Sequence, residues 1–77
     1  MAINRSTLYD RLENSPHVFD DVVYAVAERQ GSVSWRIYAT NPAGQHLFLD
    51  FEPTKAAAGA TAARFRRWLK EYNDRVY

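Results

Sequence analysis

An apolar stripe near the C-terminal end of the chain constrains its fold more than any other feature. The stripe predicts one long amphipathic helix that is capped by Thr54 and runs to about Asp74. Its first half holds small side chains and its second half large ones, so we expect the helix to approach a sheet closely while rings fill the widening gap. The members of the stripe are Ala58, Thr61, Ala62, Phe65, Trp68, Leu69, Tyr72 and Val76.

Two segments that alternate between apolar and polar residues precede this helix and predict a β-hairpin. The first strand covers residues 33–40 and the second covers residues 46–51, and Asn41-Pro42-Ala43-Gly44 between them is typical of a turn. The alternation predicts a core-facing set made of Trp35, Ile37, Leu47, Leu49 and Phe51. It predicts an outward-facing set that includes Arg36, Tyr38, His46, Phe48 and Asp50.

The N-terminal third of the chain contains a short helix and then an ambiguous segment. Leu8 and Leu12 lie one turn apart and predict a helix from Ser6, its N-cap, to about residue 13. Residues 19–30 fit either an amphipathic helix or a strand that is buried on both faces, and their β-branched and aromatic content favours the strand. We therefore predict a single α+β domain over residues 1–77, in the order αβββα, with a three-stranded antiparallel sheet packed on the long helix. The alternative order is ααββα.

Length and composition exclude several classes of protein. A chain of 77 residues has no room for a second core, and the absence of cysteine excludes disulfides and thiolate metal sites. The longest apolar run, Val22–Ala27, is far too short to span a bilayer. No glycine elbow surrounds a serine, no glycine-rich phosphate loop is present, and His17 and His46 belong to no tight ligand cluster. We expect a cytoplasmic, non-enzymatic protein without a metal or other cofactor.

The charge of the chain is unevenly distributed, and its basic part forms a first candidate site. Residues 1–53 carry four basic and seven acidic side chains, a net charge of −3, whereas residues 54–77 carry six basic and two acidic ones, a net charge of +4. A basic helix can neutralise the phosphates of a nucleic acid, and the alternative is a solvated helix face with i, i+4 ion pairs such as that of Lys70 with Asp74. The candidate nucleic-acid-binding residues are Lys55, Arg64, Arg66, Arg67 and Lys70.

The outward side of the predicted hairpin forms the second candidate site. Arginine and tyrosine are enriched at binding hot spots, and a phenylalanine between polar neighbours stays exposed unless another element covers it. The candidate protein-binding residues are Arg36, Tyr38, His46 and Phe48. If the first helix leaves this side bare, a symmetric homodimer through it becomes an alternative.

The order of the predicted elements and some local residue types resemble the double-stranded RNA-binding domain. The similar positions are Tyr24-Ala25-Val26 followed by Gly31, Trp35-Arg36-Ile37 in the second strand, and Thr54-Lys55 at the start of an alanine-rich helix that contains Ala62-Ala63. The resemblance implies the αβββα order. In that family lysines at the start of the last helix grip phosphates across a groove, a position at which this chain has Lys55.

As a small, compact α/β chain without cysteine or a recognisable active site, the protein is also similar in size and kind to phage-encoded inhibitors such as anti-CRISPR proteins. Met1 and the absence of flanking linkers predict a free-standing gene product. We therefore predict a protein that acts by occupying a macromolecular surface, with a protein favoured over a nucleic acid as the partner and no role for a membrane. The alternative function is nucleic-acid binding through the basic helix.

Overall fold

The computed structural model describes residues 2–76 and has the predicted order αβββα. Helix α1 covers Arg5–Glu13, and the strands are β1 (Asp21–Arg29), β2 (Ser32–Thr40) and β3 (His46–Glu52). Helix α2 covers Lys55–Val76. The ambiguous segment is therefore a strand over most of its length, and the alternative order ααββα is wrong.

The three strands form one antiparallel sheet in the order β1-β2-β3. Arg29 pairs with Ser32 across the two-residue turn Gln30-Gly31, in which both residues have a positive φ, 53° and 78°. This is the backbone of a type I′ hairpin turn, whose twist matches that of the strands. The loop between β2 and β3 is held by Asn41, whose side chain bonds the carbonyl of Val18 at 2.7 Å and the side chain of Gln45 at 2.7 Å.

A β-bulge in β3 overturns part of the predicted alternation. Ile37 pairs with Asp50 and the next residue of β2, Tyr38, pairs with Phe48, so Leu49 is an extra residue in the ladder. In a bulge of this kind the two residues on the bulged strand point to the same side. Leu49 and Asp50 are accordingly both buried, and Phe51 turns to the opposite face. The prediction that Phe51 faces the core and Asp50 faces outward is wrong for this reason.

The core lies between one face of the sheet and the two helices. It joins Leu8 and Leu12 of α1 to the stripe on α2 and to buried residues of all three strands. Its fully buried large side chains are Leu8, Phe19, Val22, Ile37, Leu49, Phe65 and Leu69. We call the face of the sheet that packs against the two helices the inner face, and the opposite face the outer face.

Two local expectations are corrected by the packing, and a third is confirmed. The N-cap of α1 is Asn4, whose side chain accepts a hydrogen bond from the Thr7 amide at 2.9 Å, so Ser6 lies inside the helix. Strand β1 is not buried on both sides, because only Val22 in it is buried. The cap of α2 is confirmed, since the Thr54 hydroxyl accepts from the Ala57 amide at 3.1 Å.

Candidate functional site

The outer face of the sheet is left uncovered by the described part of the chain. Helix α2 packs on the inner face, and α1 packs beside it through the same core. The register therefore displays one set of side chains to solvent on the other side. These outer-face residues are Val23, Ala25, Ala27, Arg29, Ser32, Ser34, Arg36, Tyr38, Thr40, His46, Phe48 and Phe51; Asp21 has the same register but binds Arg66.

An aromatic cluster occupies the β2–β3 half of this face. The Tyr38 ring lies between His46 and Phe48, with centroid distances of 6.0 Å to each and edge-to-face geometry in both pairs. Aromatic pairs prefer this geometry because the positive edge of one ring meets the negative face of the other. The rings hold one another in position on a flat strand surface, although Phe48 is 42% exposed to solvent.

Arg36 lies beside this cluster near the centre of the outer face. Its cross-strand neighbours are Ala25 on β1 and Phe51 on β3, and neither side chain carries a negative charge that could pair with the guanidinium. Among residues 2–76 no carboxylate comes within ion-pair distance of its guanidinium. A depression of about 300 Å³ opens between Ser34, Arg36, Phe48 and Phe51. The outer face thus combines exposed aromatic rings with a positive charge that no described carboxylate neutralises.

All four sequence-predicted residues of this candidate site lie on one face, and the structure adds two that the sequence analysis missed. Phe51 is 54% exposed and lines the depression, because the bulge at Leu49 turns it outward. Val23 pairs with Tyr38 from β1 and is also exposed. The sequence carries no local signal for the bulge, because the alternation of Leu47, Leu49 and Phe51 is that of a regular half-buried strand.

The five basic residues proposed for nucleic-acid binding do not form one surface. Lys55 lies over the Trp35 ring at 6.0 Å on the inner side of the sheet, and Arg64 lies over the Trp68 ring at 6.0 Å. Arg66, Arg67 and Lys70 meet on the side of α2 that faces β1. A strip of phosphates could therefore contact the second group but not all five.

Arg66 has a structural partner that the sequence did not reveal. Its Nε donates to the Asp21 carboxylate at 2.8 Å, and its Nη2 donates to the carbonyl of Val22. The Asp21 carboxylate also accepts from the Val22 amide at 2.8 Å. This backbone hydrogen bond and then the Arg66 guanidinium lower the pKa of Asp21 below its usual value. Arg66 therefore ties α2 to the start of β1.

The groove between α2 and the start of β1 is of mixed charge. It has a volume of about 580 Å³, and its basic side chains Arg66, Arg67 and Lys70 face carboxylates from both walls. Asp74 pairs with Lys70 at 3.4 Å, which confirms that predicted i, i+4 pair, whereas Glu71 lies 3.8 Å from Arg5 of α1. The mixture of signs gives this groove little attraction for a polyanion.

The described residues form neither a metal site nor a membrane-spanning helix. Within 2–76, no group of three His, Asp or Glu side chains is arranged to hold a metal ion. Neither of the helices in that range has the combination of length and apolar character that a bilayer crossing requires. No family model matches the chain, and neither a curated protein nor a solved structure matches it.

Proposed function

We propose that this chain is a non-catalytic protein-binding domain that uses the outer face of its sheet. The observation that carries the proposal is the exposure of Phe48 and Phe51 on one face, beside Tyr38 and beside Arg36, which no carboxylate of residues 2–76 neutralises. Exposed contiguous rings of this kind are costly in water and mark interaction surfaces. Aromatic residues and arginine are also the residue types that dominate binding energy at protein interfaces.

The composition of the outer face indicates the chemistry of its partner. The rings and Val23 offer apolar area, and Arg36 offers a planar donor that suits a carboxylate. The described residues of this face place no acidic side chain beside Arg36, so a carboxylate on the partner would meet no repulsion there. The fitting partner is a folded protein that presents an apolar patch with an Asp or Glu at its centre.

Nucleic-acid binding through α2 is the weaker candidate because its cations are dispersed or engaged. Arg66 holds Asp21 and Val22, Lys70 is paired with Asp74, and the remaining basic residues face different sides of the helix. The groove they line carries as many carboxylates as cations. A protein partner for the outer face is therefore the function that we favour.

Occupying a surface is also how a small inhibitor acts, and we extend the proposal to that class. A 77-residue domain with one flat, aromatic face can block a site on a larger protein without any chemistry of its own. The small phage-encoded inhibitors that the chain is similar to in size and kind work in this manner. The expected activity is thus inhibition of a host protein, or of a protein–nucleic acid complex, by steric occlusion.

The test is a comparison of variants on a captured and purified partner. Protein retained from host lysate by the wild-type chain is purified, and its affinity is measured by titration for the wild type, Phe48→Ala, Tyr38→Ala and Arg36→Ala. Val18→Ala is the matched control, because Val18 is an exposed apolar residue before β1 and outside the outer face. We expect each outer-face variant to weaken binding by about tenfold or more and the control to bind like the wild type.

Two results contradict the proposal. One is a partner that binds all three outer-face variants as tightly as the wild type. The other is a gel shift of RNA or DNA that weakens steeply with salt and is lost in Arg67→Ala, since phosphate contacts release counterions and show this dependence. Circular dichroism of every variant separates loss of binding from loss of folding.

A further inference from the structure

Strand β1 has a free edge whose open positions can be identified from the hairpin register. Arg29 and Ser32 flank a two-residue turn, and in such a hairpin the flanking residues exchange hydrogen bonds. The odd-numbered residues of β1 therefore bond to β2. The even-numbered residues direct their N–H and C=O groups away from the sheet. Along β1 these outward residues are Val22, Tyr24, Val26 and Glu28.

The first of these positions is occupied by the protein itself. The amide of Val22 donates to the Asp21 carboxylate, and its carbonyl accepts from Arg66. Considering residues 2–76, the edge is thus closed at its start and open at Tyr24, Val26 and Glu28, three alternate residues in a regular strand. Unpaired edges of this length template the addition of another strand.

The opposite edge of the sheet is protected, so β1 is the edge available for pairing. The bulge at Leu49 interrupts β3, and the carbonyl of Leu49 accepts from Arg11 of α1. Asp50 binds the amide of Ile3 at 2.7 Å, which lays the N-terminal segment along β3. Bulges and covering segments are the usual means by which proteins close a sheet edge.

Apolar surface near the tip of the β1–β2 hairpin adds a reason for association. The Lys55 ammonium lies over Trp35, and Trp35 pairs with Val26, so α2 begins level with Val26. The hairpin beyond this point projects past the helix. Val26 and Val33 are consequently 55% and 53% exposed on the inner face.

We propose that the open edge of β1 pairs with the same edge of a second copy of this chain, antiparallel, with the two-fold axis at Val26. This register uses all three open residues and spares Val22, whereas an axis at Tyr24 would need Val22 and an axis at residue 27 would need the turn residue Gln30. It forms about six backbone hydrogen bonds between the copies. The two outer faces then join in one six-stranded sheet.

The side chains of β1 are complementary to themselves in this register. Val26 meets Val26 of the second copy, and Tyr24 meets Glu28, so no like charges face each other. Ala25 meets Ala27 on the outer face, which adds no bulk there. The aromatic cluster on β2 and β3 stays free, so the dimer is independent of the protein-binding function proposed above.

Charge complementarity with α2 favours the same arrangement. A Cβ at Gly59 would lie 3.4 Å from the Tyr24 hydroxyl, so this turn of α2 sits directly over Tyr24. Glu28 of the second copy lies across from Tyr24, on the same face. Lys55 is one turn before Gly59 on the same side of α2, and its ammonium, which lies over Trp35 on the neighbouring strand, gives this face a positive charge that attracts that glutamate. The dimer thereby has two such attractive pairs, each joining Lys55 of one copy to Glu28 of the other.

The absence of cysteine allows a direct test by single-cysteine cross-linking. At the axis, hydrogen-bonded partners have Cα atoms about 5.5 Å apart, which a disulfide can bridge. Val26→Cys is therefore expected to form a covalent dimer under mild oxidation. Val33→Cys is the matched control, because Val33 is equally exposed but lies on β2, about three strand spacings from its counterpart in the dimer.

Sedimentation velocity over about 1 µM to 1 mM of the cysteine-free protein supplies the second measurement. We expect a reversible dimer whose dissociation constant rises about tenfold or more in Val26→Lys, which places two ammonium groups together at the axis, and stays unchanged in Val33→Lys. Equal cross-linking of the two cysteine variants, or a monomer at every concentration, overturns the proposal. So does a monomer whose binding to a captured partner is lost in Val26→Lys, because the edge would then serve a foreign strand.

Discussion

Replacement of Asp50 by alanine is expected to destabilise the protein strongly, although within residues 2–76 Asp50 belongs to no hydrophobic core cluster and to no ion pair. Asp50 is 5% exposed, and its carboxylate accepts two backbone hydrogen bonds of 2.7 Å, from Ile3 and from Phe51. Hydrogen bonds to a charged group contribute about 1.5–3 kcal/mol each, and an orphaned buried donor costs about 1–3 kcal/mol. Because both amides are only partly buried, the lower values apply. The expected loss for Asp50→Ala is about 2–4 kcal/mol.

The assay is urea unfolding followed by tryptophan fluorescence, with hydrogen exchange as a site-specific readout. A protein of this size has an m-value of about 1 kcal/mol per molar urea, so the midpoint should fall by about 2–4 M. Exchange of the Ile3 and Phe51 amides should accelerate more than that of the strand centre. Asp50→Asn keeps one acceptor oxygen and should lose about half as much stability.

Asp20→Ala is the matched control, because Asp20 is exposed and its hydrogen bond to Thr40 comes from its backbone. We expect its free energy of unfolding to stay within about 0.5 kcal/mol of the wild type. A midpoint for Asp50→Ala that coincides with that of Asp20→Ala would refute the reasoning. The hydrogen bonds of the buried Asp50 carboxylate would then contribute nothing to the free energy of unfolding, and the bulge would need another explanation.

Three further perturbations test local features of the fold. Thr54→Ala removes the cap of α2 and should cost about 1 kcal/mol in urea unfolding, whereas Thr54→Ser should restore it; equal stability of the two would argue against the cap. Gly31→Ala should lower the free energy of unfolding by about 1–2 kcal/mol, because Gly31 has a φ of 78°. No steric clash adds to this loss, since nothing lies within 4 Å of the new Cβ. A smaller loss in Gly31→Asn would confirm that the cause is the backbone conformation. Because the pKa of Asp21 is lowered in the folded protein, its carboxylate stabilises the fold. This contribution is fully present above the unfolded pKa of Asp21 and is lost as the pH falls through its folded pKa. Asp21→Asn should therefore flatten the dependence of the free energy of unfolding on pH below about pH 4. Because the pair with Arg66 is half exposed, the difference at neutral pH should not exceed about 1 kcal/mol, and parallel acid profiles would contradict the assignment.

The order of elements was predictable because each element carries its own periodic pattern. The stripe from Ala58 to Leu69 and the alternation around Ile37 arise from burial on one face, and burial is visible in sequence. The strand over residues 21–29 was predictable only as one of two options. Its apolar residues fit both periods, and pairing with β2 decided between them.

The part of the candidate site that the sequence did not predict depends on contacts between distant residues. The bulge at Leu49 is stabilised by Arg11 and by the amide of Ile3, which lie 38 and 47 positions away, and no local period encodes them. The partner of Arg66 is likewise 45 positions away. Strict alternation gave Arg36, Tyr38, His46 and Phe48 an outward position correctly but assigned the residues after the bulge to the wrong faces.

The bulge means that the outer face depends on the register of β3 beyond Phe48. Deletion of Leu49 would remove the bulge and leave the faces unchanged, because Asp50 would still pair with Ile37 and Phe51 with Arg36. A slip of one residue that keeps Leu49 in the ladder would instead pair Leu49 with Ile37 and Asp50 with Arg36, and would send Phe51 inward and Asp50 outward. The same sequence would then display an exposed carboxylate, in place of an exposed ring, beside Arg36.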